Sequence, residues 1–378
     1  MIIVYIYDAI ARIGGVERIL VDKMNYLANV YGYEIYLITA AQGKHAFSFP
    51  LSHKVRHIDI DARFHVQYQF GYPKRLWVKW RTDRDFKHRL QKQIDAIQPD
   101  IIIGTTYYKA DVICRLKCGA KKIIESHCAK SHTGQNDGIR RNTFLQWLHT
   151  LRLICYNRTV ERRSDVVVAL TKGDAAEWSR AEKVTVIPNM ATQMPEAKAS
   201  CEAHRVISAG RLIYQKGYDR LIESWNIVHR KHPDWKLDIF GNGPAYQELQ
   251  EQIFRNKLDG VVSIHPPTDH LAEEFLQSSI YVMSSRFEGF GLVLVEAMAC
   301  GLPCVSFDCP YGPADIIKNG EDGFLIKNSH IGQMAEKINY LIENESERFR
   351  MGEQARENVR RFSKENIMKK WDRLFRSL

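Results

Sequence analysis

Arg286-Phe-Glu-Gly-Phe-Gly-Leu-Val-Leu-Val-Glu-Ala-Met-Ala-Cys-Gly-Leu-Pro303 is the stretch that decides how the rest of the chain reads. It follows the apolar run 280–283, which has the length and composition of a buried parallel strand. Gly289 and Gly291 let the backbone turn tightly and let a ligand approach it closely. The pattern predicts a helix from about Leu292. The first amides of that helix and its positive dipole end, with the loop Gly289, Phe290 and Gly291 leading in, suit an anion or sugar hydroxyls. Glu288 stands just before the helix and Glu296 about one turn into it. Two carboxylates so placed can accept hydrogen bonds from hydroxyls at two points along one ligand. Taken singly, Glu288 could be a helix cap and Glu296 a solvated charge. Val293, Leu294, Val295, Ala297 and Met298 surround Glu296, however, and a carboxylate on so apolar a helix needs a partner.

Working outward, the second half repeats short β-branched runs at 205–209, 236–240, 261–265, 280–283 and 303–306. Amphipathic stretches at 219–231, 245–256, 270–277, 293–300 and 333–343 alternate with them. The first half has the same alternation. Strands are expected at 2–7, 33–39, 101–104, 122–125 and 166–171, and helices at 16–31 and 83–97. This is the βαβ rhythm of doubly wound α/β sheets, and 378 residues accommodate two such domains. The polar segment after Asn189 reads as a linker, which divides the chain into 1–190, 191–204 and 205–361. Two further helices are expected at 353–361 and 363–378. In the last, Trp371 and Phe375 are spaced i, i+4 on one face that must pack somewhere.

Three more segments carry candidate chemistry. Ser208-Ala-Gly-Arg-Leu-Ile-Tyr-Gln-Lys-Gly217 places Arg211 and Lys216 in a loop between a strand and a helix. A guanidinium grips phosphate oxygens in pairs and an ammonium adds a compact charge, so the two can neutralise a leaving diphosphate without a metal. Ala11-Arg-Ile-Gly-Gly-Val-Glu-Arg18 follows the first strand, and Gly14 and Gly15 open the first helix; the full G-x-G-x-x-G pattern of a dinucleotide site is missing. Glu125-Ser-His127 puts His127 at the carboxyl end of a strand, where parallel sheets bind ligands.

Charge and cysteine usage narrow the setting. Residues 1–190 hold 30 Lys and Arg against 18 Asp and Glu, while the remainder holds 24 against 26, so the basic excess lies wholly in the first half. That asymmetry suits a polyanion or an anionic membrane surface. Lys74 to Lys92 contains eight Lys or Arg with Trp77, Trp80 and Phe86 between them. Arg140 to Arg163 is similar, with Phe144, Trp147, Leu148 and Leu151. Basic amphipathic helices with aromatics fit a membrane interface. None of the eight cysteines forms a C-x-x-C pair, which argues against a zinc site and for a reducing cytoplasm. No run of about 18 apolar residues is present to span a bilayer, and the opening residues lack the basic region of a signal peptide.

Together these segments resemble the large retaining family 4 of GT-B glycosyltransferases. The likeness extends through Ser164-Asp-Val-Val-Val-Ala-Leu-Thr171, Val184-Thr-Val-Ile-Pro-Asn189, Gly241-Asn-Gly-Pro244, Pro310-Tyr-Gly-Pro-Ala-Asp-Ile-Ile317 and Asn319-Gly-Glu-Asp-Gly-Phe-Leu325, nearly the whole chain. The resemblance implies two Rossmann-like domains facing a cleft, with the last helix, 362–378, crossing back to the first. It implies that Arg211 and Lys216 hold the donor diphosphate. Glu288 and the amides of Gly289 to Leu292 would hold the donor sugar, and Glu296 the ribose. His127 would lie near the anomeric carbon, Gly14 and Gly15 close to donor and acceptor, and the base near 264–267. No metal or resident cofactor is expected. The donor would be a nucleotide sugar, UDP-linked by preference with GDP-mannose as competitor. The mechanism implied is front-face substitution with retention, in which the leaving diphosphate itself takes the acceptor's proton. Phe307-Asp-Cys-Pro-Tyr-Gly-Pro313 resembles enzymes of surface polysaccharides and lipid-linked oligosaccharides. It suggests a glycan or polyprenyl-pyrophosphate-linked acceptor met at the inner face of the cell membrane.

Rival readings are a GT-A transferase using a metal through Asp59-Ile-Asp61 or Asp83-Arg-Asp85, a GT-B nucleotide-sugar epimerase, and a nucleic-acid-binding protein. The chain shows no helix-turn-helix signature, zinc finger or RNA-recognition motif, so no nucleic-acid partner is expected.

Overall fold

The computed structural model describes residues 1–11, 14–132 and 143–378. Among them, thirteen strands form two wholly parallel sheets. The first sheet holds β1 (Ile2–Tyr7), β2 (Glu34–Thr39), β3 (Val55–Asp59), β4 (Ile101–Thr105), β5 (Lys121–Ser126), β6 (Val166–Ala169) and β7 (Val184–Val186), in the order β3-β2-β1-β4-β5-β6-β7. The second holds β8 (Arg205–Ala209), β9 (Lys236–Phe240), β10 (Val262–His265), β11 (Ile280–Met283), β12 (Cys304–Asp308) and β13 (Gly323–Lys327), in the order β10-β9-β8-β11-β12-β13. The order reverses between β1 and β4 in one sheet and between β8 and β11 in the other. Ligands of open parallel sheets bind in the crevice beyond the carboxyl ends of strands at such reversals.

The central strands are legible because they are buried on both faces. Ile3, Val4, Ile35, Ile102 and Ile123 exclude solvent in the first sheet, as Val206, Ile207, Ile239 and Val282 do in the second. The three strands without a sequence expectation, β3, β7 and β13, are all edge strands. An edge strand has one neighbour and keeps a wet side, so Arg56 and His57 stand exposed on β3 and its apolar signal is thin. The helix expected at 83–97 in fact spans Lys74–Ile97. Its buried stripe is Val78, Phe86, Leu90 and Ile94, and Thr82 interrupts the period where the expectation stopped. The helix expected at 353–361 is Glu345–Asn358, followed by a tight turn at Val359–Phe362. Its stripe contains buried Arg348, which donates to the carbonyls of Cys201 (2.8 Å) and Leu341 (2.7 Å) and so hides the apolar pattern. The expected strand 166–171 ends at Ala169, because the Thr171 hydroxyl accepts from the Asp174 amide (3.1 Å) and caps a short helix, Lys172–Glu177. Of the basic stretch from Arg140, residues 140–142 lie outside the described residues and Thr143–Arg163 is helical.

The last helix, Lys364–Arg376, begins with Ser363 accepting from the Asn366 amide (3.3 Å). It crosses to the first domain and buries Ile367, Met368, Trp371, Leu374 and Phe375. Tyr33 hydrogen-bonds Asp372 and meets the Phe375 ring edge-on at 6.5 Å, and Lys364 pairs with Asp22 (3.5 Å). One continuous core thus includes Ile19 and Met24 of the first helix (Gly15–Asn29), Leu294 and Met298 of the Leu292–Ala299 helix, and Trp371. Phe375→Ala removes a ring buried to 2% exposure. It is expected to cost about 3–5 kcal/mol, read as a lowered denaturation midpoint, with amide protection lost first from Gly15–Asn29.

Candidate active site

Each expected phosphate- or sugar-binding residue follows a strand at, or next to, a sheet's reversal. β1 leads to Gly14 and Gly15, and β5 to His127. β8 leads to Arg211 and Lys216, and β11 to Glu288. The two second-domain loops are sewn together. The Arg286 amide donates to the Gln215 carbonyl (2.7 Å), the Gln215 side chain donates to the Phe287 carbonyl (3.0 Å), and the Ser284 hydroxyl donates to the Lys216 carbonyl (2.9 Å). Arg286 grips Asp219 with both terminal nitrogens (2.8 and 2.6 Å) and lies over the Tyr214 ring (4.0 Å). This frame fixes Lys216 Nζ 2.6 Å from Glu288 Oε1, an oxygen that also accepts from the Ser285 hydroxyl (2.6 Å). Glu288 is buried and its backbone is clasped on both sides: its amide donates to the Pro310 carbonyl (2.8 Å) and its carbonyl accepts from the Tyr311 amide (2.9 Å).

The helix Leu292–Ala299 starts where the sequence placed it. Gly291 at φ +101° is its cap, a conformation that glycine adopts without steric cost, and no side chain caps the helix. The first helix also starts at a glycine, Gly14, without a side-chain cap. The two starts meet across the cleft: a Cβ on Gly15 would touch the Leu292 side chain at 3.7 Å. The start of the Leu292 helix can attract an anion, whereas the start of the first helix already has the Glu17 carboxylate of its own first turn against Gly14. The first-domain wall comes as close at Gly289, where any Cβ would overlap the His127 carbonyl oxygen. Arg12 and Ile13, in the loop before Gly14, lie outside the described residues.

The remaining candidates have distinct surroundings. Arg211 is exposed, and its guanidinium is close enough to Tyr107 and Cys128 of the first domain to act on both electrostatically. Glu296 is partly buried and accepts a hydrogen bond from Thr192 in the linker. Burial pushes its carboxyl up, while the Thr192 bond and the Arg18 charge act the other way. Phe290 is buried, edge-on to Phe362 at 5.6 Å, so it contributes its backbone and a packing anchor. His265, near the expected base region, stacks on Phe240 (4.7 Å) and bonds Asp238 (2.9 Å). The two D-x-D pairs are engaged locally. Asp59 takes the amides of Gln42 and Gly43 and the Thr39 hydroxyl, Asp61 pairs with Arg63, Asp83 with Lys109 and Asp85 with Arg81. Among the described residues, no cluster of three or more His, Cys, Asp or Glu could hold a metal.

Sequence reasoning did not foresee the group behind His127. Lys23 and Glu125 are buried to 2% and 1% exposure and form an ion pair, and Glu125 Oε2 also lies 3.0 Å from His127 Nε2. Burial alone would raise the Glu125 carboxyl, but the Lys23 ammonium and the His127 hydrogen bond outweigh it and hold it at about 2. Burial pushes the Lys23 ammonium down, against its pairing with Glu125. One signal was available: Lys23 interrupts the apolar stripe Ile19, Leu20, Met24, Leu27 of the first helix.

Comparison with known proteins agrees with this geometry. The family description "Glycosyltransferase Family 4" matches residues 13–191, and "Glycosyl transferases group 1" matches residues 191–358. An uncharacterized glycosyltransferase of Haemophilus influenzae is 25% identical over 96% of both chains. The amylovoran biosynthesis glycosyltransferase AmsD of Erwinia amylovora is 27% identical over 97% of both. Among solved structures, HepE of Anabaena in complex with UDP and glucose superposes over all of both chains, with a TM-score of 0.76 and 18% identity. The chain belongs to the group 1 glycosyltransferases of family 4, and it is a glycosyltransferase with the GT-B fold.

Two outcomes follow from this geometry. Gly289→Ala forces the His127 carbonyl away, so the two domains are expected to part, with an increased radius of gyration in small-angle scattering and a melting temperature within a few degrees of the parent's. Glu125 stays charged to about pH 2 when folded, against an ordinary value of 4.5. The unfolded chain therefore takes up the proton first, so this group's stabilisation is present above about pH 4.5 and is lost as pH falls towards about 2. Removing both charges with Lys23→Met and Glu125→Gln should flatten that part of the acid-denaturation profile.

Proposed function

We propose that the chain moves a sugar from a nucleotide diphosphate donor, a UDP-sugar, to a glycan or polyprenyl-pyrophosphate-linked acceptor of surface polysaccharide biosynthesis, with retention of anomeric configuration and without a metal. In this reading residues 205–361 hold the donor, and residues 1–190 with the last helix hold the acceptor. The observation that carries it is that Lys216 and Glu288 meet just before the glycine-started Leu292 helix, whose first residue faces Gly15 across the cleft. A diphosphate draws Lys216 and the helix amides, and the sugar hydroxyls donate to Glu288. Arg211, exposed at the rim, closes on the phosphates. The diphosphate leaves as charge develops on it, and fixed cations and amides stabilise that charge without having to reorient. UDP as donor is supported by HepE, which was solved with UDP and glucose, and the polysaccharide setting by AmsD, which acts in amylovoran biosynthesis.

The acceptor side of the reading rests on a surface of the first domain. Tyr68, Tyr72, Leu76, Trp77 and Trp80 are exposed, and cations lie on several rings of this region: Arg75 over Tyr68 (4.6 Å), Arg81 over Trp77 (5.6 Å) and Arg84 over Trp80 (5.0 Å). Trp147, Leu148, Leu151 and Ile154 stand exposed on the helix Thr143–Arg163. Aromatic bodies paired with cations suit the headgroup boundary of an anionic bilayer. No helix among the described residues is long and apolar enough to cross a membrane.

A calorimetric panel of nucleotide sugars tests the donor. Glu296→Ala is expected to weaken binding of the preferred donor by about 10–100-fold, the loss of a hydrogen bond to a charged group, with the fold retained; unchanged affinity removes Glu296 from the donor site. Lys216→Ala should lower kcat by roughly 10²–10³-fold. Activity in EDTA should equal that without it. Donor consumed in the absence of any acceptor would favour an epimerase. On vesicles, Trp77→Ala with Trp80→Ala should abolish binding to anionic lipid, and binding by the parent should weaken as salt rises.

A further inference from the structure

We propose that Lys23 and Glu125 are positioning residues for sugar transfer: they fix His127 as the tautomer protonated on Nε2 and leave its Nδ1 as a hydrogen-bond acceptor for a donor hydroxyl. The inference rests on the reading that transfer takes place in this cleft. His127 is buried, and its carbonyl lies against Gly289, so the residue forms the wall opposite the amides that start the Leu292 helix. Its Nε2 faces Glu125 Oε2 at 3.0 Å. A carboxylate can only accept, and the Lys23 ammonium keeps this one ionised, so Nε2 carries the proton.

Charge counting decides the other nitrogen. Glu125 is a single negative charge that Lys23 already balances in a dry setting. A second proton on His127 would place an uncompensated cation beside Lys23, on the side of the cleft that already faces Arg211 and Lys216. Nδ1 therefore keeps its lone pair. It is buried, and among the described residues it has no partner. A buried acceptor left unpaired is unfavourable unless something fills it, and a sugar hydroxyl supplies the missing donor.

Stability alone is a weak reason for this arrangement, since apolar residues of similar volume commonly stabilise a core as well as a buried ion pair does. Lys23 is also held from behind. Its ammonium sits over the Trp371 ring at 4.1 Å and near the Tyr5 ring at 5.7 Å, so the last helix forms the back wall of the positioning group.

The test reads the imidazole directly. In protein labelled with ¹⁵N-histidine, the His127 resonances are assigned by their disappearance in His127→Gln. The expected spectrum of the parent at neutral pH is that of a neutral ring protonated on Nε2. In the double variant Lys23→Met, Glu125→Gln, the amide at 125 can accept or donate, so the tautomers should mix, and kcat/KM for the donor should fall about 10–100-fold, as for the loss of one hydrogen bond to a charged group. The KM for the acceptor should stay unchanged. A parent ring protonated on Nδ1, or doubly protonated, overturns the proposal whether or not the double variant folds. So does a folded double variant with the parent's tautomer and the parent's kcat/KM. Because the spectrum needs no substrate, an enzyme inactive on every nucleotide sugar would count against the function proposed above and leave the tautomer result to stand or fall by itself.

Discussion

Two glycine-started helix ends come together across the cleft, the first with the Glu17 carboxylate against it, and the rest of the molecule is arranged to hold them there. Neither Gly14 nor Gly291 brings a side chain that would satisfy the free amides. Like dipole ends repel weakly, so their closeness has to be imposed by packing elsewhere. The imposing contacts lie at the edges of the cleft. Gly289 lets its loop rest on the His127 carbonyl, and the Tyr311 ring lies on Gly173 while its hydroxyl bonds Glu177 (2.8 Å). Tyr311 is also the residue whose amide holds the Glu288 carbonyl. The contact that joins the domains and the contact that sets the acid are therefore adjacent along the backbone.

The charges near the cleft divide by accessibility. Lys216 and Glu288 form a close pair of which Lys216 is the more exposed partner. Lys23 and Glu125 lie deeper, where no ligand reaches, and act through His127 instead. Arg286 and Asp219 lie outside both groups and set the spacing of the two loops. The region thus places ion pairs at three depths: one at the cleft, one buried behind His127, and one that braces the two loops.

Much of this was legible in the sequence because parallel sheets announce themselves. Buried central strands are unbroken apolar runs, and the turns after them carry glycines and charges that have no place in a core. That logic found β1, β8 and β11 and the residues after them, including Glu288, Lys216 and the start at Leu292. It failed where burial is one-sided, as at β3, β7 and β13, and where a polar residue sits inside an apolar stripe. Lys23 and Arg348 are two such cases, and each is accommodated by partners distant in sequence that a periodicity argument cannot see. Glu125 was quoted only for its neighbour His127, because its partner is a hundred residues away on another element.

The last helix completes a core that the first helix opened. Trp371 covers Lys23, and Phe375 meets Tyr33, so the first helix and the turn before β2 lack this cover until residues 364–376 arrive. A chain made from its amino end at about 5–20 residues per second leaves both uncovered for the whole of the second domain's synthesis. The first domain to emerge is thus the last to be finished, and the growing polypeptide is open throughout that interval to chaperones.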